Sequence, residues 1–206
     1  MPPSIKTYKI VTDKVVIRCY QAGDGAMLKK SIDESIHHLL PWMPWAKFEP
    51  ETVDLKEDRV GFFRRKFLGH EDYAMGIFNL NETGLLGSTG LHTRLPGNAL
   101  EVGYWVNVNQ AGKGLCTHVV TALTKVGFEV EGLDNMVIKC EVDNTASRRV
   151  AEKCGYNLVG TQSNFSNPYD RLLRTMNIFE ITRGQYFQNP VQLPIQVYDI
   201  EGLQIA

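Results

Sequence analysis

The chain has 206 residues, with 22 lysines and arginines against 23 aspartates and glutamates, and its formal net charge is −1. This length suits one domain with a hydrophobic core, and the near-neutral charge gives no electrostatic support for binding nucleic acid or a membrane surface. We find no apolar run long enough to span a bilayer and no signal-peptide pattern at the N-terminus. The cysteines form no CxxC pair, so we expect no zinc or other metal site and no disulfide framework, but reduced thiols in a cytoplasmic protein. They are Cys19, Cys116, Cys140 and Cys154.

The first third of the sequence predicts a strand, two helices and an aromatic loop. Alternating apolar residues predict a strand over 14–20, and apolar residues at three- and four-residue steps predict helices over 26–39 and 52–68. We expect Asp24 to cap the first of these helices. The loop at 40–46 contains two prolines together with Trp42 and Trp45. Two interpretations stay open and can both hold: the rings anchor the loop to the core, or they form a wall of a substrate cleft.

The middle of the chain predicts three antiparallel strands, over 73–80, 85–93 and 100–108. Glycines at 87, 90 and 103 indicate bulges or close approach of the backbone. A helix is predicted over 115–130, a strand over 136–142, and a short helix that begins after Asn144 and ends at Gly155.

The last part of the chain predicts a hairpin and a tail. The hairpin strands are expected over 158–164 and 170–178, around a turn at 166–169. Apolar periodicity stops at residue 183. We therefore expect one domain over residues 1–183 and an appended segment over 184–206 that packs on the surface or on a partner subunit, which makes a homodimer plausible.

The turn before the 115–130 helix is a candidate anion site. Helix N-termini present N–H groups without intrahelical partners at the positive end of the dipole, and Gly112 and Gly114 remove side chains that would block a ligand. A phosphate or pyrophosphate would suit this turn, with a plain structural turn as the alternative. The sequence contains no Gly-Lys-Ser/Thr phosphate loop. It also lacks a Gly-x-Gly-x-x-Gly fingerprint, because Thr117 stands where the third small residue belongs.

Two segments, at the right separation, resemble the GNAT superfamily of acyl-CoA-dependent N-acetyltransferases. Residues 111–116, Ala-Gly-Lys-Gly-Leu-Cys, are similar to the family's cofactor turn, Gln/Arg-x-x-Gly-x-Gly/Ala. They depart from it at Ala111, where a polar residue is usual, and mildly at Cys116. Residues 144–156 resemble the Asn-x-x-Ser…Gly-Phe signature of the RimJ/RimL group, and the Leu-Pro-Trp-x-x-Trp pattern of residues 40–45 resembles the same group.

The resemblance implies an α/β (α+β) fold, a mixed and mostly antiparallel sheet of about seven strands with helices on both faces. It also implies a splayed central strand pair, along which the pantetheine arm of acetyl-CoA pairs like an added strand. Trp42 and Trp45 would lie beside the acceptor. The residues that it implies for holding the cofactor are Trp105, Val106, Val108, Gly112, Lys113, Gly114, Cys116, Thr117, Asn144 and Ser147.

Acetyl transfer to an amine needs a neutral amine, a stabilised oxyanion and a proton for the leaving thiolate. Glu101 is the candidate base, with a strand-edge carboxylate in a salt bridge as the equal alternative. Many family members use a tyrosine as the acid, but Ala151 stands at that position here, and the resemblance points to Ser147 instead, with Tyr156 more plausibly a core ring. We expect a backbone N–H, that of Val106, to hold the oxyanion. An acyl-cysteine at Cys116 is not expected.

The resemblance therefore implies direct acetyl transfer to a primary amine, foremost the N-terminal amine of a ribosomal or other protein. Two alternatives stay open at this point. One is a small-amine acetyltransferase acting on a polyamine or an antibiotic, and the other is a non-catalytic module that binds acyl-CoA.

Overall fold

A computed structural model describes residues 3–166 and 172–206, and it contains a single nine-stranded sheet with helices on both faces. The strands are β1 (Lys9–Val11), β2 (Val16–Cys19), β3 (Tyr73–Phe78), β4 (Leu85–His92), β5 (Ala99–Val106), β6 (Asn135–Glu141), β7 (Asn157–Ser166), β8 (Leu173–Thr182) and β9 (Gln196–Tyr198). The helices are α1 (Gly25–Leu39), α2 (Val53–Leu68), α3 (Leu115–Lys125), α4 (Thr145–Lys153) and α5 (Arg183–Gln188). A π-helical turn over Val126–Val130 extends α3.

The strands lie in the order β7-β8-β6-β5-β4-β3-β2-β1-β9. The pairing of β5 with β6 is parallel, and the other described neighbours are antiparallel. The predicted mixed, mostly antiparallel sheet is confirmed. It has nine strands instead of about seven because two three-residue strands, β1 and β9, add to one edge, and both are too short to show an alternating pattern.

Two apolar cores lie against the sheet. Alternation along β5 places Leu100, Val102 and Val106 against the apolar stripe of α3, which includes Val119 and Leu123. The second core lies under α1 and α2 and contains Leu28, Ile32, Val60, Phe78 and Leu85. Residues at odd positions of β5 therefore point away from α3.

The central strands part as predicted. β5 and β6 pair only at Ala99–Asn135, Leu100–Met136 and Glu101–Val137, although β5 continues to Val106 and β6 to Glu141. Beyond Glu101, β5 is paired with β4 and β6 with β8. The facing edges of β5 and β6 are thus open over the second half of β5, and this gap is where a ligand can add as a strand.

The third predicted strand ends earlier than the alternation suggested. Val108 lies in a 3-10 turn, where its N–H donates to Ser35 Oγ at 2.9 Å and its carbonyl accepts from the Ala111 N–H. The preceding residue, Asn107, is buried and donates from its side chain to Ser31 and Glu34. These bonds fasten the end of β5 to α1. The N–H and the carbonyl of Val108 are thus already hydrogen-bonded within the chain, and its predicted contact with pantetheine stays a prediction.

Three further predictions concern Asp24, Gly87 and the turn at 166–169. The prediction that Asp24 caps α1 is wrong, because both carboxylate oxygens bind the buried Arg18 guanidinium at 2.8 and 3.0 Å. The predicted bulge or close approach at Gly87 is confirmed, since the pairing of β3 with β4 shifts register beside Gly87 and a Cβ there would lie 2.3 Å from the Trp105 carbonyl oxygen. The predicted turn at 166–169 falls, after residue 166, outside the described residues.

The segment after residue 183 is part of the same sheet. Helix α5 begins with a capping box built by Thr182 and Gln185, and β9 pairs with β1. Tyr186 and Val197 are buried in the main core. Residues 184–206 therefore complete the edge of the sheet, and their assignment as a unit separate from residues 1–183 stays a prediction.

Candidate active site

The N-terminus of α3 presents an open, basic cavity. Gly112 and Gly114 have φ angles of 74° and 78°, in the left-handed region that favours glycine, and a Cβ on either would meet no atom within 4 Å. The first N–H groups of α3 point out of this turn. A cavity of about 160 Å³ adjoins it, lined by Lys14, Val15, Leu86, Gln110, Lys113, Gly114 and Leu115. Backbone donors and two lysines suit a diphosphate.

Lys14 was not predicted as part of this cavity. It lies in the turn between β1 and β2, about a hundred residues before Lys113, and no local motif marks it. His118 on α3 explains the proximity, because its Nε2 lies 2.9 Å from Thr12 Oγ1 in the same hairpin turn. The hairpin thus packs beside the start of α3 and brings a second cation there.

The open edge of β5 leads away from this cavity. Trp105 and Val106 lie on the unpaired stretch, as predicted, with Val106 buried. Cys116 and Thr117 lie in the first turn of α3 and are partly buried. Burial, together with nearby Cys154, raises the pKa of the Cys116 thiol to about 12. A thiol held protonated is a poor nucleophile, which agrees with the expectation that Cys116 does not carry the acyl group.

Helix α4 faces the gap with its N-terminus. The Asn144 side chain accepts from the Ser147 N–H at 3.0 Å, so the predicted cap is confirmed. The Ser147 hydroxyl lies 2.9 Å from the Tyr104 hydroxyl, which also donates to the Ser147 carbonyl at 3.2 Å. Burial raises the pKa of Tyr104, so the phenol stays protonated. Tyr104 and Ser147 form a hydroxyl pair that spans the gap from β5 to α4.

Sequence reasoning missed Tyr104, because alternation assigns it to the apolar face of β5. The other candidates on this side lie where they were expected. Tyr156 is buried in the core, with its hydroxyl 2.9 Å from Thr124 Oγ1, and Ala151 is fully buried. Neither side chain reaches the gap, whereas the hydroxyl groups of Tyr104 and Ser147 lie beside it.

Glu101 lies on the opposite face of β5, as predicted. It is 8% exposed, and each carboxylate oxygen faces a cation: Oε1 is 2.8 Å from Arg94 Nη1, and Oε2 is 3.4 Å from Lys139 Nζ. The alternative of a carboxylate in a salt bridge is therefore present in the structure. Its role as a base stays a prediction, which the two ion pairs weaken because both carboxylate oxygens already face a cation.

A histidine lies directly across from Glu101. His92 of β4 pairs in register with Glu101, so both side chains point to the α1–α2 face of the sheet. Its Nδ1 lies 2.9 and 3.0 Å from the two carboxylate oxygens of Asp72. Its ring packs over Gly90 and Gly103, where an added Cβ would come within 3 Å of it. The two glycines flagged in the sequence thus make room for an imidazole.

The two tryptophans of the 40–46 loop border this same face. Trp45 packs against Trp105, with ring centroids 6.1 Å apart, and joins the second core; Trp42 is half-buried. The short helical turn Pro44–Phe48 is tied to α2 by the buried Lys56, which pairs with Glu49 and, at 2.8 Å, with Glu51. The predicted anchoring of the loop is confirmed for Trp45, and the role of the two rings as a wall of a substrate cleft stays a prediction.

Within residues 3–166 and 172–206, none of the helices combines the length and the apolar character that a membrane span requires. The same residues contain no cluster of three or more histidine, cysteine, aspartate or glutamate side chains that could hold a metal ion.

Comparison with known proteins agrees with this geometry. Residues 14–157 match the family model described as an acetyltransferase (GNAT) domain. The ribosomal-protein-serine acetyltransferase of Escherichia coli (strain K12) is 27% identical over 135 residues, covering 62% of this chain and 70% of the relative. The aminoglycoside N(6′)-acetyltransferase type 1 of Klebsiella pneumoniae is 27% identical over 202 residues, covering 87% and 94%.

A solved structure shares the fold. It is RimL, a ribosomal L7/L12 alpha-N-protein acetyltransferase in complex with coenzyme A, with a TM-score of 0.73, 19% identity, and coverage of 84% of this chain and 96% of that one. The predicted resemblance to this group is confirmed, and acetyl-CoA is the acyl donor that goes with it. Because the family model matches well over half of its length, this chain belongs to the GNAT acetyltransferase family.

Proposed function

We propose that this acetyltransferase acetylates the N-terminal amine of a protein, a ribosomal protein being the first class to test. The relatives named for ribosomal-protein acetylation support this acceptor. The relative named for aminoglycoside acetylation covers more of the chain, so an antibiotic is the competing acceptor. The identities are alike, and the choice between the acceptors has to come from the chemistry of the site.

The charge of the acceptor face carries the proposal. A polycationic antibiotic or polyamine needs several carboxylates that are free to pair with its ammonium groups. Three carboxylates of this face each have a partner within the chain. Asp72 binds His92, Glu101 lies between Arg94 and Lys139, and Glu34 accepts from Asn107. A single amine at the end of an uncharged backbone matches this face better.

The α-amino group also suits the reaction. Its pKa is about 8 in model peptides, so an appreciable fraction is neutral at pH 7, whereas a lysine side chain at about 10.4 is almost wholly protonated. A site with a modest base can therefore acetylate an N-terminus more readily than a lysine. Trp42 and Trp45, at the border of the face, would contact the first residues of the peptide.

The residues on the α3 side fit the acyl donor, which supplies an acetyl group activated as a thioester. Gly112, Lys113, Gly114 and Lys14 would hold its diphosphate at the start of α3, and the backbone of Trp105 and Val106 would pair with its amide arm. The N–H of Val106 stays the proposed donor to the oxyanion.

The Tyr104–Ser147 pair is placed to return a proton to the thiolate that leaves. Ser147 offers its hydroxyl at the N-terminus of α4, where the helix dipole favours developing negative charge. Tyr104 can replace the proton that Ser147 gives up, because the two hydroxyl oxygens lie 2.9 Å apart. The pair replaces the family's tyrosine at the position of Ala151.

The test is a thiol-release assay with acetyl-CoA and a matched acceptor panel. It contains peptides that begin with free serine, alanine or methionine, the same peptides blocked at the N-terminus but carrying an internal lysine, an aminoglycoside, and spermidine. We expect turnover with free N-termini and at least about tenfold lower kcat/KM with the other acceptors, as the pKa difference of the amines implies. Faster turnover of the aminoglycoside would reject the proposed acceptor. Tight acetyl-CoA binding with no turnover would indicate a binding module.

Two further properties are proposed with this function. The four cysteines are all unpaired, which suits a reducing compartment, and we place the enzyme in the cytoplasm. We also propose a homodimer. The exposed apolar side chains of Leu158 and Val159 on the edge strand β7 are a candidate contact, and light scattering measures the mass directly.

A further inference from the structure

We propose that His92, held in place by Asp72, takes the proton from the acceptor amine, in place of the predicted Glu101. This inference rests on the proposed acetyl transfer and adds the proton acceptor to it. Three observations carry it: where the His92 ring lies, which of its nitrogens is available, and what already occupies Glu101.

The ring lies at the place where the strands part. A Cβ on Gly103 would come 2.7 Å from His92 Nε2, and one on Gly90 would come 2.9 Å from the same atom. Nε2 therefore sits directly over the backbones of β4 and β5. Gly103 is two residues beyond Glu101, the last residue of β5 that pairs with β6. A group that crosses the gap from the α3 side emerges beside this nitrogen.

The hydrogen bond to Asp72 decides which nitrogen is available. Burial acts to raise the pKa of the Asp72 carboxyl, but its hydrogen bond to His92 and the charge interaction outweigh burial, and the pKa is lowered. An ionised carboxylate can only accept, so the proton of the neutral ring lies on Nδ1 and Nε2 carries the lone pair. Within residues 3–166 and 172–206 we find no hydrogen bond to Nε2. The lone pair is free to accept a proton at the gap.

Glu101 lacks this freedom. Its two oxygens face Arg94 and Lys139 at 2.8 and 3.4 Å, so an incoming ammonium group would have to compete with two resident cations. Asp72 and Glu101 are the acids that face the ring, and Arg94 and Lys139 are the bases of the same cluster. The two negative and two positive charges of this cluster nearly cancel. In this proposal Glu101 binds Arg94 and Lys139 and keeps these two cations away from the imidazole.

The amine nitrogen forms a bond to the acetyl carbon of acetyl-CoA and loses a proton to His92 Nε2, while the carbon–sulfur bond breaks. The thiolate takes a proton from the Tyr104–Ser147 pair, which recovers it from solvent, and His92 releases its proton to solvent. The net result is an amide and a free thiol. Asp72 stays ionised throughout and stabilises the protonated ring.

The test compares three variants with the wild type on the best peptide from the acceptor panel. Removing a general base lowers kcat by about 10²- to 10⁴-fold. We expect a loss in this range for His92→Gln, with the acetyl-CoA Kd within about twofold, and less than a tenfold loss for Glu101→Gln. His37→Gln, on the exposed end of α1, is the matched histidine control. If Glu101→Gln loses more activity than His92→Gln, the inference is overturned.

The pH profile of kcat separates a base from a structural residue. An imidazole changes charge between about pH 5 and 8, so wild-type kcat should fall as pH decreases through that range, because a protonated ring cannot accept. His92→Gln should lose this acidic limb. Asp72→Asn should lower kcat, because the carboxylate that fixes the Nδ1 proton and the ring orientation is lost. The same acidic limb in the wild type and in His92→Gln would assign the titration to another group.

A misfolded His92→Gln would be recognised by a lowered Tm and by loss of acetyl-CoA binding. His92→Ala then gives the second route, since added imidazole should restore at least about tenfold of its lost activity if the ring acts only as a base. No rescue in a folded His92→Ala overturns the inference. A wild type that turns over no acceptor overturns the proposed function as well, whereas active wild type and active His92→Gln overturn this inference alone.

Discussion

The two ends of this site are built from different parts of the protein. At the start of α3 the proposed ligand contacts would come from the backbone, which is exposed by Gly112 and Gly114, and the pattern that produces this turn spans a few residues. On the α1–α2 face the proposed contacts would come from side chains that the sheet brings together, such as Asp72, His92 and Glu101. The proposed donor site therefore depends on a short local pattern, whereas the proposed acceptor site depends on the arrangement of the strands.

The largest effect is expected at Gly114, where a substitution should abolish donor binding and leave the acceptor face intact. Gly114→Trp places a large side chain in the open space before α3 and forces a left-handed φ on a non-glycine residue. Losing two charge-assisted hydrogen bonds costs about 3 kcal/mol, so we expect the acetyl-CoA Kd to rise by at least about 100-fold in calorimetry. Gly202→Trp has the same φ region and open space in the tail and is the control. Binding that survives Gly114→Trp would show that the donor is held elsewhere.

The next largest effect is expected for the Tyr104–Ser147 hydroxyl pair, which lies between the donor and acceptor ends of the site. Ser147→Ala and Tyr104→Phe should each lower kcat on the order of 10- to 100-fold, while the KM for acetyl-CoA changes less. The double variant should lose little more than either single one, because both side chains act on one proton. Unchanged kcat in Ser147→Ala would remove this residue from the reaction. Fully additive losses would mean that the two hydroxyls act separately.

A smaller effect is expected on the acceptor side alone. Trp45→Ala removes the ring that packs on Trp105, and an aromatic pair contributes about 0.5–1.5 kcal/mol beyond its buried area. We expect the peptide KM to rise by roughly 3- to 10-fold, with the acetyl-CoA Kd unchanged. Phe62→Ala removes an exposed ring of α2 and should alter neither constant. An equal effect on both ligands would mean that the loop only stabilises the fold.

The smallest effect is expected at Lys14, on the donor side. Lys14→Gln should raise the acetyl-CoA Kd by roughly 3- to 10-fold at low salt and less at high salt, because screening weakens an exposed charge. Lys30→Gln, an exposed lysine of α1, is the control. A Kd without salt dependence in the wild type would argue against any lysine contact with the diphosphate.

Local sequence was enough to predict the turn before α3 and the Asn144 cap, and the structure contains both. The parted strands were implied by the resemblance to the GNAT superfamily, and the structure contains them too. The failures were equally local: Val108 continues the alternation of β5 by one step too many, and the two edge strands are only three residues long. A three-residue strand contains too few alternations to be recognised from the sequence.

The acceptor side depends on register, which the sequence leaves open. Asp72 and His92 meet because Tyr73 of β3 pairs with Leu91 of β4, and the two residues are the next pair along the hairpin. A confident alignment of the predicted 73–80 and 85–93 strands around their turn would have revealed the contact. Lys139 approaches Glu101 only through the parallel pairing of β5 with β6, for which no turn fixes the alignment.

The fastening of β5 to α1 has a kinetic consequence. Asn107 and Val108 bind Ser31, Glu34 and Ser35 immediately after the stretch that accompanies the donor's arm. Helix α1 leads into the tryptophan loop at 40–46. Binding of acetyl-CoA should therefore stabilise the loop beside which the acceptor peptide enters. Steady-state kinetics should then show an ordered sequential mechanism, in which acetyl-CoA binds before the peptide and free coenzyme A is released last.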